Sequence, residues 1–306
     1  MPVPLVAVGP RPAQFAVDAI ASGGGTVVAL DESPEALVWL DPADVVGLRE
    51  ALAVAPDVRW VQLPFAGVDR VAEAGLLDAG RVWTSAKGAY AEPVAEHALA
   101  LALAGLRHLP ERVVARTWGA PKGASLFDER VTILGGGGIA RALIGLLAPF
   151  RVDTTVVRRT GEPVPGATRT VPVDQLHHVL SDALVVFVAL ALTPETERIV
   201  GARELAAMDE RGWLVNVARG RNVDTDAVVE ALRTGSIAGA ALDVTDPEPL
   251  PDGHPLWDIP SCIVTPHTAD TPEMVRPLLA ERLRVNVTRF SGGEPLVGVV
   301  DVAAGY

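Results

Sequence analysis

The sequence predicts an α/β fold of two domains, each a parallel sheet with crossover helices. Three observations predict it. Short apolar runs rich in β-branched residues alternate with helical stretches along nearly the whole chain. A length of 306 residues suits about two domains of ordinary size. A glycine-rich strand–turn–helix, VTILGGGGIAR at 131–141, lies mid-chain, which excludes a simple N-terminal nucleotide-binding domain.

In chain order, strands are expected at Leu5–Val8, Thr26–Leu30, Ala36–Leu40, Val58–Gln62 and Val82–Thr84, with helices at Ala13–Ala21, Pro42–Ala53 and Val68–Leu77. Residues 93–117 carry an Ala/Leu-rich helical pattern that starts at Pro93 and should be interrupted by Pro110. Trp118–Glu129 reads as a linker. Strands then recur at 131–134, 154–158, 183–189, 213–217, 237–242 and 262–265, with helices at 139–149, 174–180, 203–209 and 224–234. A final helix spans Pro272–Phe290, and a tail covers 295–306. Because the nucleotide domain begins near residue 100, the last helix and tail are expected to complete the first domain. The division is then 1–98 with 271–306, and 99–270, and the cleft between such domains is the default substrate site.

Composition narrows the function. With 26 Lys and Arg against 38 Asp and Glu, the net charge is −12, which argues against nucleic acid or an anionic membrane as the main partner. A single cysteine, Cys262, rules out a disulfide framework and a cysteine-based metal site. No His and acid set has metal-ligand spacing, so no metal is expected. The N-terminus lacks a basic-then-apolar signal pattern and the apolar runs are too short to span a bilayer, so a cytoplasmic protein is expected.

The glycine run has the spacing Gly135-x-Gly137-x-x-Ala140. Its first glycine makes the turn, its second admits a pyrophosphate, and its third position needs a small residue for helix packing. Backbone N–H groups at Gly138 and Ile139 then face the phosphates. Three later strands each end in an unusual polar residue, and ligands of open α/β sheets bind beyond such carboxyl ends. The first ends at Val217-Ala218-Arg219, where a guanidinium fits either a carboxylate anchor or a surface ion pair. The second ends at Asp243, followed by Glu248 in a proline-stiffened loop. Those acids fit a coenzyme amide contact, a histidine partner or a solvated turn. The third leads into Thr265-Pro266-His267, the one histidine of six that follows a strand and a proline in this way. His97 and His108 read as packing or surface residues, and His177 and His178 carry no assigned role.

Taken together, LGGGGIAR (134–141), LTPET (192–196), LVNVARG (214–220), ALDVTDPEPL (241–250) and IVTPHTA (263–269) resemble the D-isomer-specific 2-hydroxyacid dehydrogenases. WVQLPFAGVD (60–69) and TSAKGAYAEPVAEH (84–97) match more weakly. The resemblance implies two Rossmann-like or flavodoxin-like parallel-sheet domains with the coenzyme in the cleft between them. It implies that Arg219 anchors the substrate carboxylate and carbonyl, that His267 is the acid/base, and that Glu248 pairs with His267. It also implies that Asp243 meets the nicotinamide carboxamide, that Ala191 and Thr193 lie along the coenzyme, and that Phe65, Ala66, Gly67 and Lys87 line the substrate pocket. Reduction of a 2-oxoacid needs such a set: a nicotinamide, a cation for the carboxylate and an imidazolium for the oxygen. A carboxylate at Glu248 is expected to favour the protonated ring of His267. Trp118, Trp257 and Tyr90 fit either the pocket or a core or interface position. A homodimer through the 93–117 helix is expected from the family.

Three departures matter. Ala140 stands for the usual third glycine, a mild change. Ala191 stands where the family usually has proline. Arg158 and Arg159 stand 21 and 22 positions after Gly137, where NAD-type members carry an acid for the ribose hydroxyls. Arginine accepts a 2′-phosphate that a carboxylate repels, so NADP is expected over NAD. The expected activity is hydride transfer between NAD(P)H and a small 2-oxoacid, giving a D-2-hydroxyacid. One alternative is a 3-phosphoglycerate dehydrogenase-like enzyme, against which the chain's end at residue 306 weighs. The other is a non-catalytic dinucleotide sensor, against which the Arg219–Glu248–His267 set weighs.

Overall fold

The computed structural model describes residues 3–303 and 305; within the tail, Ala304 and Tyr306 lie outside the described residues. The chain forms two compact units. One runs up to Tyr90 and resumes at Thr271, and the other is Ala91–Asp270. The first changeover thus falls ahead of residue 99. Residue 99 lies inside one continuous helix, Ala91–Leu106, so the whole rod goes with the unit on which it packs.

In the first unit, β1 (Leu5–Gly9), β2 (Thr26–Val28), β3 (Ala36–Trp39), β4 (Trp60–Gln62) and β5 (Val82–Thr84) form a parallel sheet in the order β2-β1-β3-β4-β5, the flavodoxin-like order. The crossovers carry α1 (Gln14–Ser22), α2 (Val45–Val54) and the short α3 (Asp69–Glu73). Asp44 caps α2 by accepting from the Gly47 N–H at 2.8 Å, so that helix starts at Val45 rather than at Pro42.

The second unit opens with α4 (Ala91–Leu106) and α5 (Leu109–Val114). The predicted 93–117 helix is therefore two helices. The break falls at His108, whose backbone is left-handed at φ 49°, and not at Pro110. Pro110 sits in the first turn of α5, where its missing N–H removes no helical hydrogen bond. There follow β6 (Arg130–Leu134), α6 (Gly138–Leu147), β7 (Asp153–Arg158), β8 (Arg169–Pro172), α7 (Leu176–Leu180), β9 (Val185–Val188), α8 (Ala202–Ala207), β10 (Trp213–Asn216), α9 (Thr225–Thr234), β11 (Gly239–Leu242) and β12 (Cys262–Val264). The strands form one parallel sheet in the order β12-β11-β10-β9-β6-β7-β8. This is the Rossmann order with one strand added beyond β11. Strand β8 was not expected: it is a four-residue edge strand of mixed polarity with no periodic signal. Helix α6 buries Ala140, Leu143, Ile144 and Leu147, the spacing of a single apolar stripe.

The last helix, α10 (Pro272–Gly292), belongs to the first unit and packs along α1. A buried polar network ties it to the sheet. Asn286 Nδ2 donates to Gln62 Oε1 and to the Val297 carbonyl, each at 2.9 Å, and its Oδ1 accepts from the Val297 N–H at 2.8 Å. Thr84 Oγ1 donates to the same Gln62 oxygen and accepts from Trp60 Nε1. Asn286, Gln62 and Thr84 are all fully buried, so each broken bond leaves a polar group without water. Asn286→Leu should therefore lower unfolding stability by about 2–4 kcal/mol, read as a lower urea midpoint. An unchanged midpoint would remove the network from the account of how α10 is held.

Candidate active site

The sheet of the second unit aligns the carboxyl ends of β6, β7, β10, β11 and β12 along one edge, and the chemically distinctive residues leave from those ends. Register fixes their order: Asn216 pairs Leu242, and Leu242 pairs Val264, so Val217–Arg219, Asp243 and Thr265–His267 follow at neighbouring strand exits.

At the exit of β6, Gly135 has φ 110°, and a Cβ there would run into the Ala189 carbonyl. Glycine is required at this position for both conformation and space. Gly137 is the extended residue before α6, and nothing lies within 4 Å of where its Cβ would stand. The first-turn N–H groups at Gly138 and Ile139 have no helical acceptors, no side chain caps them, and no acid lies in that turn. This cradle fits a dinucleotide pyrophosphate, because a backbone of donors faces open space. Arg158 ends β7 beside it. Its Nη1 donates to the Glu162 carbonyl at 3.4 Å, and its Nη2 lies 3.5 Å from the Glu162 carboxylate. Arg159 is exposed and near enough to Glu195 for its charge to lower that carboxyl's pKa, behind the hydrogen bonds from Thr193 and the Glu195 backbone. In the 191–196 loop, where Ala191 replaces the family proline, Thr196 does the shaping. Its hydroxyl donates to the Ala191 carbonyl at 2.7 Å and accepts from the Thr193 N–H at 2.7 Å.

At the exit of β10, Val217 and Ala218 are buried and Arg219 is half-buried. Two fully buried asparagines lock this turn. Asn216 accepts from the Ala218 N–H and donates to the Arg219 carbonyl, while Asn222 accepts from the Arg219 N–H and donates to the Thr196 carbonyl. Gly220 lies so close to the Thr245 carbonyl that any Cβ would collide with it.

Asp243, 2% exposed, is the centre of the edge. Its Oδ1 accepts from Thr265 Oγ1 at 2.5 Å and the Thr268 N–H at 2.9 Å, and lies 3.2 Å from His97 Nε2. Its Oδ2 accepts from the Ala269 N–H at 3.1 Å. Burial pushes this carboxyl up, but the bonds from His97, Thr265, Thr268 and Ala269 outweigh it and leave the pKa below the ordinary value. His267 follows with φ 50°, a left-handed conformation uncommon for a residue with a side chain. Its N–H donates to the Asp243 carbonyl at 2.8 Å, which pins the His267 backbone to the β11 exit. Its Nδ1 meets Glu248 Oε1 at 2.7 Å, and both side chains are 43% exposed. Cys262, by contrast, is an inert thiol, its pKa pushed up to about 12 by burial.

In the first unit, Phe65, Ala66 and Gly67 follow β4, and Lys87 follows β5; Phe65, Ala66 and Lys87 are exposed and Gly67 is half-buried. The Ala86 N–H donates to the Phe65 carbonyl at 3.0 Å, which joins the two loops. Tyr90 is buried and donates to the Pro64 carbonyl, whereas Trp118 is 95% exposed and Trp257 51% exposed.

Several residues escaped the sequence reading. His97 is the partner of Asp243 and Thr265 rather than a packing or surface residue; its position at the end of the TSAKGAYAEPVAEH match was the available signal. Asn216 and Asn222 flank ARG symmetrically, a pattern that could have been read. Arg282 of α10 donates to the Ser85 and Lys87 carbonyls and holds that loop. Asp270 is half-buried among Asp243, His267 and Arg219. Burial, reinforced by Asp243, outweighs the two cations and raises its pKa. Its charge therefore costs stability above the raised pKa and costs nothing once the pH is below the ordinary value of 3.8. Asp270→Asn should raise the urea midpoint at pH 7, with a gain that fades as the pH falls through the raised value; no gain at pH 7 would contradict this.

Residues 97–269 match the sequence model of the D-isomer specific 2-hydroxyacid dehydrogenase, NAD binding domain. The chain is 40% identical over 274 residues to an uncharacterized protein encoded in the proB 3′ region of Corynebacterium melassecola, covering 86% of this chain and 90% of that one. It is 29% identical over 285 residues to glyoxylate/hydroxypyruvate reductase A of Photorhabdus laumondii, covering 89% and 87%. A D-isomer specific 2-hydroxyacid dehydrogenase from Xanthobacter autotrophicus, solved with NADPH, superposes over all of both chains with a TM-score of 0.86 at 27% identity. A match that spans the second unit, joined to relatives that run nearly end to end, makes this protein a member of the D-isomer specific 2-hydroxyacid dehydrogenases, NAD(P)-dependent oxidoreductases.

Proposed function

We propose that the protein is a cytoplasmic, NADP-preferring reductase of small 2-oxoacids of the glyoxylate and hydroxypyruvate type, with Arg219, Glu248 and His267 as its catalytic residues. The observation that carries this reading is the 2.7 Å contact of His267 Nδ1 with Glu248 at the strand exit next but one to Arg219. When bound, the nicotinamide supplies or accepts the hydride. Glu248 accepts the Nδ1–H of His267 and orients the ring, so that Nε2 presents its proton to the carbonyl oxygen as that oxygen gains charge. Arg219 offers its guanidinium to the substrate carboxylate. Asp243 keeps lone-pair capacity on Oδ2 for an amide N–H of the coenzyme, since Oδ1 carries most of its partners. Gly135, Gly137, Gly138 and Ile139 take the pyrophosphate, and Ala191, Thr193, Val217 and Ala218 flank the coenzyme. Phe65, Ala66, Gly67 and Lys87 are proposed substrate contacts from the first unit.

The NADP preference is supported by Arg158 and Arg159 at the β7 exit, and by the Xanthobacter relative that holds NADPH. An oxoacid panel assayed at the nicotinamide absorbance band with both coenzymes tests the reading. The kcat/KM with NADPH should exceed that with NADH by about tenfold or more, the scale of one charge-assisted hydrogen bond. His267→Ala should cut kcat by about 10²–10⁴-fold. A higher efficiency with NADH would overturn the coenzyme preference, and unchanged turnover in His267→Ala would remove the acid/base role.

We also propose a homodimer. Val113 and Val114 of α5 are 77% and 70% exposed and Trp118 is 95% exposed, a concentration of apolar surface that suits burial against a second copy. Light scattering should give twice the chain mass, and Trp118→Glu should shift it towards the monomer; a monomeric parent protein would end the proposal.

A further inference from the structure

Four glycines stand in a row at 135–138, yet the phosphate turn has a physical need for only some of them. Gly136 occupies the variable position of the motif. Its backbone is not left-handed, so conformation does not require glycine there. Space does. A Cβ on Gly136 would stand 3.0 Å from Val164 Cγ2, 3.3 Å from Arg158 Cδ and 3.6 Å from Arg158 Nε. The crowding comes from two side chains, not from backbone, in contrast to Gly135.

Those two neighbours differ in how far they can give. Val164 is 3% exposed, and its N–H is bonded to Thr170 Oγ1 at 3.0 Å, so its backbone is anchored. The Arg158 stem is half-buried and flexible, so a Cβ that turns away from the anchored Val164 displaces the stem. Its guanidinium is held by two long contacts to Glu162, at 3.4 and 3.5 Å, which a shift of a few tenths of an ångström would weaken. Arg159 lies in the turn after β7, is exposed, and has its charge near Glu195.

We propose that Gly136 is a positioning residue for coenzyme choice: by carrying no side chain it seats the Arg158 stem across the glycine turn, and so fixes Arg158, rather than Arg159, as the principal reader of the 2′-phosphate. The inference rests on the NADP reading above. A guanidinium whose direction is set before binding loses less freedom when it meets the phosphate. The seat contributes to the 2′-phosphate alone and leaves the pyrophosphate cradle, made by Gly135 and the first turn of α6, unchanged.

The test measures binding by calorimetry, without turnover. The probes are adenosine 2′,5′-bisphosphate and adenosine 5′-monophosphate, which differ only in the 2′-phosphate. The parent protein should prefer the bisphosphate. Gly136→Ala should weaken the bisphosphate about fivefold while changing the monophosphate less than about twofold, a partial loss of one charge-assisted contact. In an Arg158→Ala background the same Gly136→Ala change should have no further effect on the bisphosphate. Arg158→Ala alone should weaken the bisphosphate about tenfold and Arg159→Ala less than about threefold, an arm that stands even where Gly136→Ala fails to fold. Equal loss for both probes, a full effect of Gly136→Ala in the Arg158→Ala background, or a larger loss from Arg159→Ala than from Arg158→Ala overturns the inference. A parent protein that does not distinguish the probes overturns the NADP reading itself, and a parent that does, with no response to Gly136→Ala, overturns only the seat.

Discussion

The buried carboxylate of Asp243 is the constraint around which the carboxyl edge of the seven-stranded sheet is built. At 2% exposure its charge could not stay ionised without compensation. It draws that compensation from two places far apart in the chain: His97 on α4, and the segment after β12, where the Thr265 hydroxyl and the N–H groups of Thr268 and Ala269 reach it. Satisfying one charge therefore fixes the path of the chain on both sides of His267. The Asp243 carbonyl completes the arrangement by accepting the His267 N–H. A left-handed His267 costs on the order of 1–3 kcal/mol, and such a conformation persists where its surroundings over-determine it, as these bonds do.

The same logic holds one strand away. Arg219 is a long flexible cation whose backbone is held by Asn216 and Asn222, and its Nη1 donates to the Ala218 carbonyl at 2.7 Å. Both asparagines are fully buried with donors and acceptors used, so the turn has few alternative arrangements of similar energy. The groups proposed to react are wetter. His267 and Glu248 are each 43% exposed, and their short contact is screened by solvent. Rigidity in this edge resides in buried polar groups, while the His267–Glu248 pair remains exposed.

What could be read from the sequence follows from how each signal is encoded. The strand runs that carry Gly135, Arg219, Asp243 and His267 are local, apolar and bounded by glycine or proline, so period and punctuation reveal them. The doubly wound order follows from short connections and the mid-chain glycine turn. His97 was misread because its partners are 146 and 168 residues away and its own surroundings are an ordinary amphipathic helix. β8 was missed because an edge strand pairs on one side only and needs no apolar face. Asp270 was missed because its character comes from burial among charges contributed by other strands, which no local pattern records. The break between α4 and α5 escaped because a left-handed histidine, not the proline, ends the first helix.

The two functions of the sheet edge also differ in what they require of the protein. The phosphate recognition proposed for β6 and β7 relies on absence: glycines without side chains, a first helical turn without an acid, and an arginine stem beside Gly136. Backbone donors there need no charge of their own to face an anion. The proton and carboxylate handling proposed for β10, β11 and β12 relies on presence, with a cation, three carboxylates and an imidazole gathered at adjacent exits. Gathering these groups out of water is unfavourable, and the pKa of Asp270, raised by burial with the charge of Asp243 adding to it, is where that cost surfaces. A chain with a net charge of −12 can carry this local opposition because the sheet holds the groups by backbone register, and side-chain attraction need only orient what the register has already brought together.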